Sequence, residues 1–310
     1  MTEMIGYLGP PGTFTEEAAT QMPSSAGAQL VPLGSVEAVL EAVRAGEVMA
    51  GVVPIENSLE GPVTTTLDSL ANGHQPLRIV EEWAIAVEFA LLGLPGTGLA
   101  DIRQVATIPI AAAQCRNWLN RELPGVGVLA TVSTAAAAAN LRGAAPVSYQ
   151  AAISPAVAAR HYDLQVLAAN IGDNPDATTR FVMVRQPGPL PVPTGADKTT
   201  LVLFIHKDHA GALLEILTEF AIRGVNLTRI ESRPTRRQLG DYYFSVDCEG
   251  HVANARVGQA LTGLRRVCAD VRFVGSYARH DGKSPHVRRG TTDSDFANAQ
   301  AWLERIRAGE

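Results

Sequence analysis

The feature that most constrains the fold of this 310-residue chain is a proline- and glycine-rich stretch at residues 186–196, which has little apolar periodicity. Such a stretch does not continue a helix or a strand, so we interpret it as a linker between two domains. The 46% of hydrophobic residues are enough to fill two cores. We therefore predict a first domain at residues 1–186, a linker at 187–197, a second domain at 198–280 and a polar tail at 281–310.

Before the linker, short apolar runs alternate with segments of helical periodicity. This alternation predicts a layered α/β fold. Its predicted helices begin after Thr15 and cover residues 35–46, 110–121, 134–141 and 149–161. Its predicted strands cover residues 4–8, 50–53, 126–130, 164–168 and 181–184, with one more near Leu30.

Beyond the linker, the order of elements changes to strand, helix, strand, strand, helix, strand. These elements are predicted at residues 199–205, 211–223, 226–233, 241–247, 253–264 and 271–277. A βαββαβ order of this size predicts a ferredoxin-like domain, with one sheet covered by two helices. The tail after Arg279 is expected to be disordered until Asp295, with a short amphipathic helix at residues 296–306.

Charge and cysteine content exclude several classes of protein. The net charge of −5, without a basic run interleaved with aromatic residues, argues against a nucleic-acid partner. No apolar run reaches the roughly eighteen residues of a membrane span. Residues 1–9 also lack the pattern of a secretion signal, so we expect a cytoplasmic protein.

The three cysteines, at positions 115, 248 and 268, fit neither a disulfide framework nor zinc-ligand spacing. We therefore expect Cys115, Cys248 and Cys268 to be reduced, structural thiols, and we expect no bound metal.

Lysine occurs only at Lys198, Lys207 and Lys283, so the first 197 residues depend on arginine for fixed positive charge. This excludes a Schiff-base lysine from the first domain. A carboxylate substrate bound there must contact arginine, hydroxyl, amide and backbone N–H groups. Among these, only arginine offers a planar bidentate fork.

The first polar segment is the loop at residues 9–15, with the sequence GPPGTFT. It leaves a predicted strand and enters a predicted helix, where oriented N–H groups and hydroxyls can hold an anion. The alternative is a tight turn in which Thr13 or Thr15 caps the helix. Spacing does not decide between the two.

The second polar segment is VPIENS at residues 53–58, which places Glu56, Asn57 and Ser58 directly after a predicted strand. Strand ends are where the sites of α/β proteins gather. Turn formation by Asn57 and Ser58, with Glu56 as a solvated charge, explains the same residues equally well.

Two further segments carry hydroxyl groups. Residues 131–134, TVST, open an alanine-rich helix, and capping is the simpler explanation for them. Residues 177–181, ATTRF, place an arginine beside hydroxyls at the head of an apolar strand. Anion binding explains that arginine, and a surface arginine on an edge strand is the alternative.

In the second domain, residues 211–213, GAL, begin a helix, and residues 231–234, ESRP, end a strand. Neither contains a nucleophile, and ordinary sheet structure explains both. Pro234 would stop an edge strand, and Gly211 would permit close approach at a helix start. A helix N-terminus near a strand edge can nevertheless hold the carboxylate of an amino acid.

Taken together and in this order, the segments resemble the bacterial prephenate dehydratases over roughly residues 4–280. The matching segments are GPPGTFT at 9–15, PIENS at 54–58, Ser133-Thr134, Thr179-Arg180-Phe181, GAL at 211–213, Asn226-Leu227, ESRP at 231–234 and residues 243–250. The resemblance implies a catalytic domain of two α/β lobes, like a periplasmic binding protein, with substrate in the cleft. It also implies a ferredoxin-like ACT regulatory domain.

The activity implied by the resemblance is the decarboxylating dehydration of prephenate to phenylpyruvate, by a lyase without a cofactor. The resemblance implies a catalytic role for Thr179, and we add Arg180 and Glu56 as catalytic candidates, with Glu56 as a possible partner of the Thr179 hydroxyl. We hypothesise that Thr179 donates to the leaving oxygen and Arg180 pairs a substrate carboxylate. The expected substrate-binding residues are Thr13, Phe14, Asn57, Ser58, Ser133, Thr134 and Phe181.

The resemblance also implies feedback regulation by phenylalanine, bound between ACT domains in a homodimer or homotetramer. The expected effector residues are Gly211, Ala212, Leu213, Asn226, Leu227, Glu231, Ser232 and Arg233. Binding of the effector would favour a less active arrangement and, by linkage, would weaken substrate binding.

This chain departs from the family pattern in two places. Many members have Ser-His-Pro-Gln before a helix that here follows Thr107-Ile108-Pro109-Ile110, so no histidine acts at that point. Many also have asparagine near Ala177 or Thr178. Two alternative functions fit the same residues, namely an arogenate dehydratase and a non-catalytic amino-acid sensor.

Overall fold

The structure is a computed structural model that describes residues 3–206, 209–235 and 241–309. The chain forms two compact units. The first comprises Met1–Thr66 and Trp83–Met183, and the second comprises Leu67–Glu82 and Val184–Glu310. The segment Leu67–Glu82 therefore belongs to the same unit as the carboxy-terminal residues, which the linker pattern in the sequence did not indicate.

The strands are β1 (Met4–Leu8), β2 (Gln29–Leu33), β3 (Ala50–Asn57), β4 (Gly61–Pro62), β5 (Arg78–Ala86), β6 (Phe89–Gly93), β7 (Gln104–Thr107), β8 (Gly127–Ala130), β9 (Ala151–Pro155), β10 (Gln165–Ala168), β11 (Thr178–Arg185), β12 (Asp197–Phe204), β13 (Leu227–Pro234), β14 (Tyr242–Glu249) and β15 (Asp270–Ala278). The helices are α1 (Phe14–Gln21), α2 (Val36–Ala45), α3 (Thr64–Asn72), α4 (Pro109–Gln114), α5 (Arg116–Glu122), α6 (Thr134–Leu141), α7 (Val157–His161), α8 (Ala212–Ala221), α9 (Ala255–Val267) and α10 (Asp293–Ala308).

Two mixed sheets organise the first part of the chain. The first has the order β2-β1-β3-β11-β5, with β4 paired to β3, and β1 runs parallel to both β2 and β3. The second has the order β10-β6-β9-β7-β8, in which β9 runs antiparallel to β6 and parallel to β7. Helices joining parallel strands produce the layered α/β fold that the sequence predicts.

Local sequence explains where several helices begin and end. The hydroxyl of Ser35 accepts a hydrogen bond from the N–H of Ala38, and the helix α2 ends at Gly46 in the left-handed conformation, with φ of 73°. Ser133 caps α6 in the same way, through Ala136. These are the residue types that satisfy free N–H groups at a helix start and tolerate positive φ at its end.

Two predicted helices are wrong in the first unit. The segment predicted as a helix at residues 149–161 is the strand β9 followed by the short helix α7. Every residue of β9 is buried because helices cover both faces of this strand, so it lacks the alternation that marks a half-exposed strand, and its alanines imitate a helix. The helix predicted at 110–121 is two helices, α4 and α5, which meet at the buried Cys115.

A single antiparallel sheet with the order β13-β14-β12-β15 follows the linker, with α8 and α9 packed against it. This is the ferredoxin-like βαββαβ arrangement that the sequence predicts. In the same unit, Nζ of Lys198 on β12 lies 2.8 Å and 3.0 Å from the two carboxylate oxygens of Glu82, and both side chains are buried. This ion pair joins the segment Leu67–Glu82 to the sheet.

The tail contains a longer helix than predicted, since α10 begins at Asp293 and ends at Ala308. Thr292 and Asp295 form a capping box at its start, and Asp293 accepts hydrogen bonds from Asn254 and Ala255, at the start of α9. Within the described residues, no helix combines the length and the apolar character that a membrane crossing requires.

Candidate active site and effector region

The end of β3 lies beside the beginning of β11. Ser58 and Thr178 exchange two hydrogen bonds there: the N–H of Ser58 donates to the carbonyl of Thr178 at 2.9 Å, and the N–H of Thr178 donates to the hydroxyl of Ser58 at 3.0 Å. The segments PIENS and TTRF, 120 residues apart in sequence, therefore meet at one point. The hydroxyl oxygen of Ser58 is therefore a hydrogen-bond acceptor at this junction.

Asn57 and Thr179 make direct side-chain contact at this junction. The amide Nδ2 of Asn57 donates to Oγ1 of Thr179 at 2.8 Å, while its Oδ1 accepts from the N–H groups of Leu59 and Glu60. The turn thus fixes the orientation of the amide. Because Thr179 accepts from Asn57, its own hydroxyl proton is left to donate, and no acceptor among the described residues takes it.

Arg180 lies next in the strand and pairs with Glu56, with Nη2 3.2 Å from Oε2. The arginine side chain is 12% exposed and the glutamate 38%, so the glutamate is the more solvated partner. Thr179 and Phe181 are buried, and Phe181 belongs to the core at 2% exposure. The strand β11 therefore begins with polar side chains, and the buried ring of Phe181 anchors it in the core.

The loop at residues 9–15 is held by its own polar groups. Thr13 accepts from the N–H of Glu16 at 3.3 Å and donates to the carbonyl of Leu8 at 3.2 Å, so it caps α1, as the alternative interpretation of this loop predicts. Phe14 packs edge-on against Phe89 with ring centroids 5.6 Å apart. Gly12 has φ of +84°, and a Cβ there would lie 2.9 Å from Ala158, so glycine is required for the close approach of α7.

A polar cluster beside this loop was missed at the level of sequence. The carboxylate of Glu16 accepts from the N–H of Gly12 at 2.6 Å and lies 2.9 Å from Nε2 of His161. Tyr162 donates its hydroxyl to the carbonyl of Pro11 at 2.6 Å. Burial, and then Glu16, raise the pKa of Tyr7 above its usual value. Tyr162 and Pro11 are 151 positions apart, and no spacing in the sequence indicates that they are neighbours. This cluster is therefore visible only in the tertiary structure.

Two other predicted positions have structural partners. The hydroxyl of Ser133 accepts from Ala136 at 2.9 Å as the helix cap, and Thr134 is buried in the first turn of α6. In the segment Thr107-Ile108-Pro109-Ile110, Ile108 stands at the place of the histidine and packs against the core, and the hydroxyl of Thr107 donates to the carbonyl of Ile153 at 2.8 Å. That side chain is fully buried and ties β7 to β9.

The predicted effector residues lie at two places on the ferredoxin-like domain. Gly211 precedes α8 with φ of +97°, Ala212 is buried, and Leu213 is 39% exposed. Asn226 and Leu227 lie at the start of β13, where the carbonyl of Asn226 accepts from Glu249. The third group lies on β13, which pairs antiparallel with β14: Glu231 is opposite Ser245, Ser232 opposite Phe244 and Arg233 opposite Tyr243.

Arg233 has an unexpected partner on α3. Its guanidinium donates to both carboxylate oxygens of Asp68, at 3.2 Å and 3.0 Å, and the hydroxyl of Tyr243 donates to the same carboxylate at 2.6 Å. The hydrogen bond with Asp68 raises the pKa of Arg233. The end of the ESRP segment is thereby joined to the segment Leu67–Glu82, 165 residues away in sequence.

All three cysteines are buried and free, and burial raises the pKa of each thiol, to about 12 for Cys115 and Cys248 and to about 11 for Cys268. Thiols in this state are weak nucleophiles. Among the described residues, no group of three or more His, Cys, Asp or Glu side chains is arranged to hold a metal ion.

Comparison with known proteins assigns the fold and these segments to one family. The family model for prephenate dehydratase matches residues 5–189, and the model for the ACT domain matches residues 200–266. A prephenate dehydratase of Amycolatopsis methanolica is 46% identical over 99% of this chain and 98% of its own length. The chain belongs to the prephenate dehydratase family, a family of lyases, and its carboxy-terminal part is an ACT domain.

Solved structures support this assignment. The crystal structure of a prephenate dehydratase from Arthrobacter aurescens, in complex with L-Phe, is 49% identical, covers 98% of this chain and 99% of its own, and has a TM-score of 0.93. A second structure, of GqqA, described as a novel type of quorum quenching acylase, is 31% identical over 91% of this chain and 100% of its own, with a TM-score of 0.79.

Proposed function

We propose that this chain catalyses the decarboxylating dehydration of prephenate to phenylpyruvate, carbon dioxide and water. The observation that carries the proposal is the hydrogen bond from Asn57 to Thr179, at the strand end that also carries the pair of Glu56 and Arg180. This strand end supplies a hydroxyl donor and a cation on successive residues, and the departure of a hydroxyl from a dianion requires both kinds of group. The family assignment is independent support.

In the proposed reaction, the bond from the ring to the hydroxyl oxygen breaks while the ring carboxylate leaves as carbon dioxide. The electron pair of the carbon–carbon bond enters the ring, which becomes aromatic, and the hydroxyl takes a proton from solvent and leaves as water. The hydroxyl of Thr179 donates a hydrogen bond to the leaving oxygen. Since a threonine hydroxyl is a weak acid, its part is to stabilise the charge that develops there.

Arg180 binds a substrate carboxylate in this proposal, and Glu56 orients the guanidinium. Their separation of 3.2 Å and the partial exposure of Glu56 allow the carboxylate of the substrate to share or replace this pair. Asn57 acts through Thr179 and through its turn. The hydroxyls of Ser58 and Ser133 accept from backbone N–H groups, and that of Thr13 both accepts and donates, so we assign to these residues the positioning of the strand end and the two helix starts.

Phe14, Thr134 and Phe181 are the remaining expected substrate-binding residues. Phe14 is partly exposed and packs against Phe89, whereas Thr134 and Phe181 are buried. We therefore retain Phe14 as a candidate apolar contact for the substrate ring. Thr134 and Phe181 support the elements that carry their polar neighbours.

Regulation by phenylalanine, through the effector residues named above, is part of the proposal. The ACT domain and the L-Phe bound to the relative from Arthrobacter aurescens support it. We further propose that the protein is cytoplasmic and forms a homodimer or a homotetramer. We propose a catalytic domain at residues 1–186, a linker at 187–197, the ACT domain at 198–280 and a tail at 281–310. Exposed apolar side chains on the ACT domain, including Leu214 and Ile222, are available for such an interface.

The decisive experiment is an assay of the purified full chain with prephenate, following phenylpyruvate by absorbance, with and without phenylalanine. Turnover that phenylalanine lowers supports the proposal. Faster turnover of arogenate would make the chain an arogenate dehydratase, and quorum quenching acylase activity without prephenate turnover would place it with GqqA. No turnover together with tight phenylalanine binding would indicate an amino-acid sensor.

A further inference from the structure

A cavity of 440 Å³ lies in the second unit, between the chain that follows α3 and the strand β15. Its volume falls in the range of small-molecule sites. Leu70, Leu77 and Phe273 contribute apolar walls, and Arg78, Arg272 and His74 contribute cationic or ionisable ones. The proposed reaction uses none of these residues.

Arg78 is the central feature of this cavity. Its guanidinium is half-buried and lies 5.3 Å from the centre of the Phe273 ring; within the described part of the chain it donates only to the adjacent carbonyl of Leu77, at 3.3 Å. No carboxylate of the described residues forms an ion pair with it. Burial lowers the pKa of Arg78, which is the sign of a cation that has lost water without gaining an anion.

Arg272 adds positive charge to the same wall. It donates to the carbonyl of Ala71, lies 5.1 Å from the centre of the Phe204 ring, and contacts Asp270 at 3.4 Å. Asp270 in turn pairs with Arg265 at 2.9 Å, so a single carboxylate serves two arginines. No acidic residue lines the cavity itself among the described residues. The cavity therefore favours an anion.

We propose that this cavity is a binding site for a small organic monocarboxylate with a compact apolar body. The fork of Arg78 pairs the carboxylate, and Leu70, Leu77 and Phe273 contact the apolar part. A zwitterionic amino acid is a poorer occupant, because the lining contains no carboxylate for its ammonium group. The proposal does not depend on the activity proposed above.

The site shares no residue with the expected effector positions, although both places adjoin α3, through Leu70 at the cavity and through the contact of Arg233 with Asp68. Those at 231–233 lie on β13, at one edge of the sheet β13-β14-β12-β15, and the cavity lies at β15, on the opposite edge. Three strand spacings separate the two edges, or about 14 Å. Occupancy would link the chain between α3 and β5 to β15, and would raise the melting temperature of the full chain.

The test uses 4-bromophenylacetate as the probe. Crystals of the full-length chain soaked with it should show a bromine anomalous peak inside the cavity, and titration calorimetry should show that Arg78→Leu raises the Kd at least tenfold. Arg266→Leu removes an exposed arginine from α9 of the same unit and should leave the Kd within twofold. Bromine located only elsewhere, or equal Kd values for the two variants, would overturn the proposal.

Two additional measurements guard against trivial outcomes. If circular dichroism shows that Arg78→Leu is misfolded, Arg78→Lys decides, because it keeps the charge and loses the fork, and it should raise the Kd at least threefold. Inorganic phosphate should compete only weakly. Phosphate that displaces the probe at equal concentration would show an adventitious anion only, and would equally overturn the proposal.

Discussion

Asn57 donates a hydrogen bond to Thr179 across 122 positions of sequence, and the same amide is held by two N–H groups of its own turn. The geometry gives Thr179 an acceptor role toward Asn57 and leaves its proton for another oxygen. Asn57 and Thr179 each have an ordinary structural explanation, but together they orient the Thr179 hydroxyl as a hydrogen-bond donor. This pair determines the first prediction.

Thr179→Ala should lower kcat for prephenate about 100-fold, the usual loss when one donor to developing charge is removed, with a smaller change in KM. Thr179→Ser keeps a hydroxyl at the same position and should retain kcat to within about tenfold. Steady-state kinetics on both variants measures the difference. Thr178→Ala, which removes a neighbouring hydroxyl bonded only to the carbonyl of Asp176, is the matched control. Equal kcat for Thr179→Ala and the control would refute the donor role.

Arg180→Lys should raise the KM for prephenate at least tenfold, a loss of about 1.4 kcal/mol, because lysine cannot form the bidentate contact. Its kcat should change less. The measurement is KM and kcat over a range of prephenate concentrations. If KM stays at the wild-type value, Arg180 does not bind the carboxylate.

Glu56→Gln separates two roles for the glutamate. If Glu56 orients Arg180, KM should rise several-fold and the pH dependence of kcat should keep its shape. If Glu56 instead supplies the proton, the limb of the pH profile that reports its ionisation should disappear. A profile recorded from pH 4 to pH 9 distinguishes them, and our proposal requires the first outcome.

Asp68→Asn should lower the free energy of unfolding by about 1–3 kcal/mol, since it weakens the charged hydrogen bonds of Arg233 and Tyr243 in a largely buried position. It should also change the concentration of phenylalanine needed for half-inhibition at least threefold, because Arg233 is an expected effector residue. Urea unfolding and inhibition curves give the two values.

Asp270→Asn is the control for Asp68→Asn, since its partners Arg265 and Arg272 are more exposed. It should change stability by less than about 1 kcal/mol. An Asp68→Asn variant with wild-type inhibition by phenylalanine would show that the contact with α3 is purely structural.

The three buried thiols predict a loss of stability at alkaline pH. Their pKa values are raised by burial to about 11 or 12, whereas an unfolded thiol ionises at about 8.5. Their contribution is complete below about pH 8.5 and is lost as the pH rises toward the folded values, because only the unfolded state releases protons there. At pH 10 each thiol should lower the free energy of unfolding by roughly 1–2 kcal/mol.

Urea unfolding at pH 8 and pH 10 measures this loss, and Cys115→Ala should make the difference between the two pH values smaller. Labelling gives an independent check, since a thiol reagent at pH 8 should modify none of the three cysteines until the protein unfolds. Rapid labelling of any one in the native state would contradict the burial of that thiol.

Much of the fold could be predicted because it depends on local pattern. The order of elements after the linker is correct, and Ser35, Ser133 and Thr13 are helix caps that their sequence neighbours already indicate. The prediction failed for β9, where burial on both faces removes the alternation. Residues 61–107 contain four strands and the helix α3 that no local pattern predicted.

The sequence by itself determined the family segments, the ACT domain and the residue types available for binding a dianion, because these depend on identity and order along the chain. Only the tertiary structure decided which hydroxyls remain available to donate. It paired Asn57 with Thr179, Asp68 with Arg233 and Lys198 with Glu82, contacts that span from 116 to 165 positions. Hydrogen bonds and ion pairs act over a few ångströms in space, and no periodicity in a sequence encodes which distant side chains come that close.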